Sequence, residues 1–331
     1  MTLPSSGPIS MGQVNTELGI SATAQISLND SAVRSLFGQA SGAVDMNTGH
    51  GKSSSTPVNL TISANTTNYN AFSAAGSPSS VCAVTITINS GVYLYSTDTA
   101  TAALTIGNFA AGSTFAINNS GYIMGKGGDG GGGWGVSTAG SAGGKAMELS
   151  GKTVTIATAS GYILGGGGAG GGTYAGYGGG GAGGGSGGSS SYFTGEAGGG
   201  PGAQGSVPYR DRAGSGGRKS TATGGYGSYV YDFGSSDEYG TAGDQGGGGG
   251  GEVMNEWMRG GYGGNYSAGT VGYSDGGGDA GGGGGGWSYA GGSSVAGYLE
   301  RAGGAGGKAI NLSGGSVTWS GAYSYVYGSV S

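Results

Sequence analysis

Ser160-Gly161-Tyr162-Ile163-Leu164-Gly165-Gly166-Gly167-Gly168-Ala169-Gly170-Gly171-Gly172 joins two kinds of chain within one short stretch. Up to Leu164 it reads as the end of a β-strand; from Gly165 onward it has almost no side chains. The same launch occurs earlier, where Ser120-Gly121-Tyr122-Ile123-Met124-Gly125 also runs into glycine. A second repeat marks the return. Ala142-Gly143-Gly144-Lys145-Ala146-Met147-Glu148-Leu149-Ser150-Gly151 recurs as Ala305-Gly306-Gly307-Lys308-Ala309-Ile310-Asn311-Leu312-Ser313-Gly314, and each copy precedes a Val-Thr strand, at Val154 and at Val317. The excursion from Gly165 to Gly307 therefore begins and ends on equivalent positions of a β scaffold, which a disordered tail has no reason to do.

The chain has 89 Gly among 331 residues but only 6 Pro, so a collagen triplet is excluded by composition and by period. Ordering a residue's backbone costs about 1–2 kcal/mol, and glycine has the most freedom to lose. A net backbone hydrogen bond returns only about 0.5–1.5 kcal/mol, so an ordered run such as Gly246 to Gly251 must pair nearly every N–H and C=O with neighbouring segments. Polyproline-II-like glycine helices packed side by side satisfy that need; at about 3.1 Å per residue a run of six spans roughly 19 Å. Disorder is the competing reading. Against it stand the low charge content, 9%, and the aromatic residues Trp134 and Trp287 set inside the runs. Both tryptophans read as structural.

Net charge is −5 with 12 Lys+Arg, too sparse for a nucleic-acid footprint. The single cysteine, Cys82, shares parity with Val84, Ile86 and Ile88 and reads as a small buried hydrophobe, with no disulfide possible within one chain. Met1 to Ser6 has neither the basic nor the apolar region of a signal peptide, and no apolar run approaches the ~20 residues of a membrane span, so synthesis in a cytoplasm and no membrane insertion are expected.

Four zones follow. Residues 1–56 form a small helical segment: Ser10 caps a helix from Met11 to Leu18, with Met11, Val14 and Leu18 at i, i+3 and i+7 and Gly19 ending it. Asn29 or Asp30 caps a second helix through Phe37, with Val33, Leu36 and Phe37 on one side and Leu28 as staple. Gly49 to Ser55 reads as a linker. Residues 57–164 switch to period two, with Val58, Leu60 and Ile62, then Cys82 to Ile88, which turns at Asn89-Ser90-Gly91 into Val92 to Tyr95. Thr114 to Ile117 turns again at Asn118 to Gly121. These are expected as antiparallel strands of a small platform. Residues 165–304 are the glycine zone, with rods at 165–172, 178–188, 198–205, 246–251, 276–286 and 303–307, and residues 305–331 return to the scaffold. The expected fold class is mainly β: a short helical segment, a small antiparallel scaffold, and a glycine-rich bundle of packed polyglycine-II-like helices joined by loops.

Rigid supports displaying Tyr-, Ser- and Gly-rich loops gain contact area at low entropy cost. The candidate binding residues lie on such loops: Tyr209, Arg210, Arg212, Arg218, Lys219, Tyr229, Tyr231, Phe233, Tyr239, Trp257, Met258, Arg259, Tyr262, Tyr266 and Tyr273. Trp257, Met258 and Arg259 combine apolar and charged groups in the longest glycine-free stretch of the zone. Arg210, Arg212, Arg218 and Lys219 form a basic cluster suited to acidic sugars, phosphate or carboxylates. For any one loop aromatic the structural alternative is a lid over exposed glycine backbone; the basic cluster equally reads as a solvated loop.

No catalytic residue, metal or cofactor is expected. His50 is the one histidine and sits in the linker, leaving no material for a Ser-His-Asp triad or a histidine metal site. Asp237 and Glu238 are adjacent, whereas a glycosidase pair spans a cleft. Gly140 to Ala146 lacks the spacing and the Ser/Thr of a phosphate loop, Gly51-Lys52-Ser53 lacks the first glycine, and Asp129, Asp275 and Asp279 do not reproduce a calcium repeat.

The first zone, with Leu3-Pro4-Ser5-Ser6-Gly7-Pro8-Ile9-Ser10, Asn15 to Gly19, Ile26 to Arg34, Ser41 to Val44 and Gly51-Lys52-Ser53, resembles the start of many tailed-phage and prophage tail-tip and tail-fibre proteins. The second, with Asn68-Tyr69-Asn70, Ile88 to Val92, Ala111-Gly112-Ser113 and Asn118 to Ile123, resembles the glycine-rich domain common in such proteins. The third is similar in composition to the tail-fibre-tip adhesins of T-even-type phages, in which glycine helices pack as a sandwich and display receptor-contacting loops. The resemblance implies a virion protein of the tail tip or fibre. Ile9, Met11, Val14, Leu18, Leu28, Val33, Leu36 and Phe37 would then serve attachment to other tail, baseplate or fibre proteins, and the loop residues would meet a bacterial outer-membrane protein or surface polysaccharide. A homo-oligomer, threefold by analogy with fibres, is expected. The alternatives are a purely structural tip, a silk-like secreted matrix protein and, more remotely, a polysaccharide depolymerase.

Overall fold

The structure is a computed structural model and describes residues 3–132, 137–158, 160–173, 177–188, 197–199, 215–216, 258–259, 267–271, 273–274, 281–294, 300–321 and 325–331. It begins with helices α1 (Met11–Glu17) and α2 (Ser31–Phe37) and a 3-10 turn over Met46–Gly49. Ser10 caps α1 in a reciprocal box, its hydroxyl accepting from the Gln13 N–H while the Ser10 N–H donates to Gln13 Oε1 at 2.8 Å. The carboxylate of Asp30 instead turns back to accept from the Ser27 N–H, and α2 ends on Gly38 in the left-handed region. Leu3, Val14, Val33, Leu36 and Phe37 are buried together, so this segment has a core of its own. Residues 49–55, expected as a linker, are bonded in place. Leu3 N–H donates to the Lys52 carbonyl and Gly51 N–H to that of Pro4, while Ser53 Oγ and Ser54 N–H both donate to Glu17 Oε1.

From Thr56 the chain winds. β1 (Thr56–Ile62), β2 (Thr66–Thr67) and β3 (Tyr69–Asn70), followed by α3 (Ala71–Ala74), make a first coil. β4 (Cys82–Ile88), β5 (Tyr93–Tyr95) and β6 (Leu104–Thr105) make a second, and β7 (Thr114–Asn119), β8 (Tyr122–Met124) and β9 (Met147–Glu148) a third. The fourth holds β10 (Thr153–Thr158) and β11 (Tyr162–Leu164). It then crosses a long insertion carrying β12 (Met258–Arg259) and β13 (Tyr273–Ser274) before β14 (Ile310–Asn311); β15 (Ser316–Trp319) and β16 (Val326–Tyr327) belong to the fifth. Strand order is β1-β4-β7-β10-β15 in one sheet, β16-β11-β8-β5-β2 in the second and β14-β9-β6-β3 in the third. Every pairing in these three sheets is parallel. Each coil thus lays one strand on each side of a three-sided parallel solenoid, and the strands of the other two sides supply the crossover that a parallel pair requires.

Coil stacking puts like on like. Val58, Val84, Phe115, Val154 and Val317 form one column, and Leu60, Ile86, Ile117, Ile156 and Trp319 another. Leu94, Ile123, Ile163 and Val326 line the second side, and Leu104, Met147 and Ile310 the third. Most of these side chains are fully buried in one core. The Ser-Gly-Tyr-Ile repeat follows from the same stacking. At the corner between the first and second sides, a Cβ on Gly121 would fall 2.6 Å from the Val92 carbonyl oxygen and 2.8 Å from Ile88 Cγ2, so the coils meet closely there only over glycine.

The expected fold class is therefore corrected in two respects. The scaffold is parallel, in three sheets of five, five and four strands, and the architecture is this solenoid instead of a glycine-helix bundle mounted on an antiparallel platform. The Asn-Ser-Gly turns that suggested hairpins are corners carrying the chain from one sheet to another. The mainly β character stands: among the described residues the helices are limited to three short α-helices and one 3-10 turn.

Candidate functional site

All the glycine-rich chain leaves the solenoid at one corner, between the second and third sides. The crossing is Asn68 alone in the first coil, 96–103 in the second, 125–146 in the third and 165–309 in the fourth. Because coils stack, the two long crossings start and finish side by side: Gly125 N–H donates to the Leu164 carbonyl, and Ala146 N–H to that of Lys308. This adjacency explains why the launch and return sequences are repeated.

Within the insertions the described glycine backbone bonds sideways. Along 166–172 the amides of Gly166, Ala169 and Gly172 donate to the carbonyls of Gly144, Ser141 and Thr138. Those of Gly167 and Gly170 go to Ala182 and Gly179, and those of Gly168 and Gly171 to Tyr289 and Gly292. Every third residue thus addresses the same neighbour, and the carbonyls of this stretch are used in the same rhythm: Gly167 and Gly170 accept from Gly128 and Gly131, Gly168 and Gly171 from Gly285 and Gly282, Gly166 and Ala169 from Gly307 and Gly304. Such contact needs bare backbone; a Cβ on Gly170 would stand 1.9 Å from the Gly282 oxygen. The buried segment 165–172 is in this way held by its neighbours on every side, as the accounting of backbone groups demands.

One face of this layer lies on the solenoid. Trp287, Ala182, Met124 and Leu164 are buried together, with Tyr93, Tyr95, Tyr122, Tyr162 and Tyr327 packed around them. Tyr93, Tyr122 and Tyr162 stack along the second side with ring centroids 4.6 and 5.3 Å apart, and Tyr325 tilts onto Tyr162 at 4.7 Å. Burial, and then the neighbouring Tyr122 phenol, push the Tyr93 hydroxyl above its ordinary value.

Two networks hold charged groups in the described part of the insertions. Asp129 accepts from Lys126 at 3.0 Å and from Ser186 N–H at 2.8 Å; burial pushes its carboxyl up, but these partners hold it below the ordinary value. The duplicated return sequence forms a second network: Glu148 Oε2 accepts from Lys145 at 2.7 Å and from Asn311 at 2.6 Å, and Lys308 reaches Asn311 Oδ1 at 3.0 Å. Among the described residues no group of three or more His, Cys, Asp and Glu is placed to hold a metal ion.

Of the candidate binding residues, Tyr209, Arg210, Arg212, Arg218, Lys219, Tyr229, Tyr231, Phe233, Tyr239, Trp257, Tyr262 and Tyr266 lie outside the described residues. Met258, Arg259 and Tyr273 are brought together: β12 and β13 pair antiparallel, with Arg259 opposite Tyr273 and Met258 opposite Ser274. The chain leading into this ribbon is fastened to the glycine layer, since Gly286 N–H donates to Ser267, Gly269 N–H to Ala290 and Gly283 N–H to Thr270. Val271, 55% exposed, and Tyr289, 44% exposed, stand on the same part of the layer. Neither was singled out from sequence, where each looks like one more apolar residue among glycines. Of the candidate attachment residues, Val14, Val33, Leu36 and Phe37 are buried inside the first segment, Ile9, Leu18 and Leu28 pack around them, and Met11 is half-buried.

The family model for the phage tail fibre adhesin Gp38 matches residues 57–246, more than half of the chain. Among solved structures, the crystal structure of the gp37-gp38 adhesin tip complex of the bacteriophage S16 long tail fiber is similar at 18% identity and a TM-score of 0.43, over 98% of this chain and 99% of that one. No curated protein matches the sequence.

Proposed function

The chain belongs to the phage tail fibre adhesin Gp38 family, and from that premise we propose that it attaches the phage to a receptor on the bacterial surface through the loops of its fourth-coil insertion. The observation that carries this reading is the backbone of 165–172, bonded to neighbours on every side. A support of that kind fixes the described segments from which the loops depart, which lowers the ordering cost of contact. The pairing of β12 with β13, which sets Arg259 opposite Tyr273, and the exposed Val271 two residues before Tyr273 support a contact surface at this ribbon. Tyr209, Arg210, Arg212, Arg218, Lys219, Tyr229, Tyr231, Phe233 and Tyr239 belong to the same proposed surface, with an outer-membrane protein or a surface polysaccharide as its partner.

The first segment would join this adhesin to the rest of the fibre. Most of its apolar residues are spent on its own core, while Ile20 is exposed, so docking would use the outer surface of the segment, held in shape from within by Val14, Val33, Leu36 and Phe37. The test of the adhesive role is to delete 206–245 from the phage-borne protein. Particles should assemble and fail to adsorb; particles that adsorb at the parent rate would remove those loops from the receptor surface, and a tip that only closes the fibre would then be the better account.

A further inference from the structure

The turn at Trp287 and Ser288 makes a contact that the proposed adhesive role does not by itself require. It belongs to the glycine insertion, yet it is seated on the solenoid. Trp287 is fully buried against Met124 and Leu164, which end β8 and β11 on the second side. Ser288 donates its N–H to the Gly165 carbonyl at 2.9 Å and its hydroxyl to the Tyr327 carbonyl at 2.6 Å. Its φ is +60°, a region non-glycine residues rarely occupy and one that surrounding structure must impose. Its seat is built of bare backbone: a Cβ on Gly165 or Gly328 would fall 2.3 or 2.2 Å from Ser288 Oγ, and one on Gly306 would fall 1.9 Å from the Ser288 oxygen. These three glycines come from the start of the insertion, its return and the fifth coil, so the socket exists only once the solenoid and the insertion have come together.

All the chain crossings between solenoid and insertion lie at one corner, as described above. The crossings join the insertion to the solenoid through its chain ends; Trp287 and Ser288, from the interior of the insertion, come back onto that corner, on the ends of β8, β11 and β16, and add a tie that the chain ends do not supply. We propose that Trp287 and Ser288 are positioning residues that lock the glycine insertion at a fixed angle on the solenoid and so aim the receptor-contacting loops. This rests on the receptor-binding reading, and its test is arranged so that the two fail separately.

The comparison uses the full chain with Trp287→Ala, with Trp287→Phe as the conservative variant, and reads amide exchange together with adsorption of particles carrying each form. In Trp287→Ala the amides of Ser288 and Gly165 should exchange at least tenfold faster. Those of Gly170, Gly171 and Gly282 inside the layer should keep the parent's protection. Adsorption should fall at least tenfold, and Trp287→Phe should recover most of both losses. Loss of protection throughout the layer, or parent-rate adsorption with the seat open, would overturn the proposal. If Trp287→Ala does not fold, Ser288→Ala, which removes only the 2.6 Å bond, carries the same comparison. Should the parent particle itself show no adsorption through this protein, the adhesive reading fails, and the exchange pattern alone decides whether the turn fixes the insertion.

Discussion

Replacing Gly170 by alanine asks whether bare backbone is what holds the insertion together. A methyl carbon there would stand 1.9 Å from the Gly282 carbonyl oxygen, where real Cβ atoms essentially never come under 3.0 Å. The segments 165–172 and 281–285 must therefore part by roughly 1 Å. They are joined on this side by Gly282 N–H to Gly171 O at 2.9 Å and Gly285 N–H to Gly168 O at 2.7 Å, and a shift of that size takes both beyond hydrogen-bond range. Each bond lost costs about 0.5–1.5 kcal/mol, and each buried group left without a partner about 1–3 kcal/mol, so local destabilisation of about 3 kcal/mol or more is expected. Amide exchange at Gly282 and Gly285 should then accelerate roughly 100-fold. Gly314, with nothing within 4 Å of its Cβ position and φ +86°, is the control: alanine there meets only the backbone penalty of about 1–2 kcal/mol and should leave Gly282 and Gly285 protected. Parent-like exchange at those two amides in Gly170→Ala would refute the reasoning.

Ile86 is fully buried between Leu60 and Ile117 in adjoining coils, so Ile86→Ala should destabilise the solenoid by about 2–5 kcal/mol, read as a lowered denaturation midpoint. Burial pushes the Glu148 carboxyl up, but bonds from Lys145, Ser313, Asn311 and the Ser150 N–H bring it from an ordinary 4.5 to about 2. A lowered folded value means stability that is present above pH 4.5 and lost as pH falls towards 2. With the side chain only 14% exposed, this amounts to at most about 3 kcal/mol at pH 7. Glu148→Gln should lose that increment at neutral pH and melt at a temperature less sensitive to acid over the same window; identical pH slopes for the two proteins would count against it.

Much of the local structure was legible along the chain. The parity of Cys82, Val84, Ile86 and Ile88 marks the buried face of β4 correctly, because alternation depends only on which side of a strand meets apolar atoms. Ser10 and Gly19 bound the first helix, since capping is settled by residues three or four apart. The repeated Ser-Gly-Tyr-Ile and Lys-Ala-x-x-Leu-Ser-Gly stretches located the mouth of the insertion, and in the solenoid they lie side by side on neighbouring coils.

Strand direction was not legible. A period of two is the same in parallel and antiparallel sheets, and Asn89-Ser90-Gly91 states that the chain bends without stating how far. Whether β5 returns beside β4 or turns a corner onto another side depends on what stacks above and below, and those partners come from coils tens of residues away. The glycine stretches pose the same problem in sharper form: with no side chains they carry no pattern to name their neighbours, only the requirement that every N–H and C=O find one. The chain by itself determined where the longer strands, the first helix cap and the insertion lie and that the bare backbone must bond laterally. Only the tertiary structure decided which segments meet, because parallel stacking and backbone pairing are contacts between residues far apart in sequence, chosen by the closure of the coils as a whole.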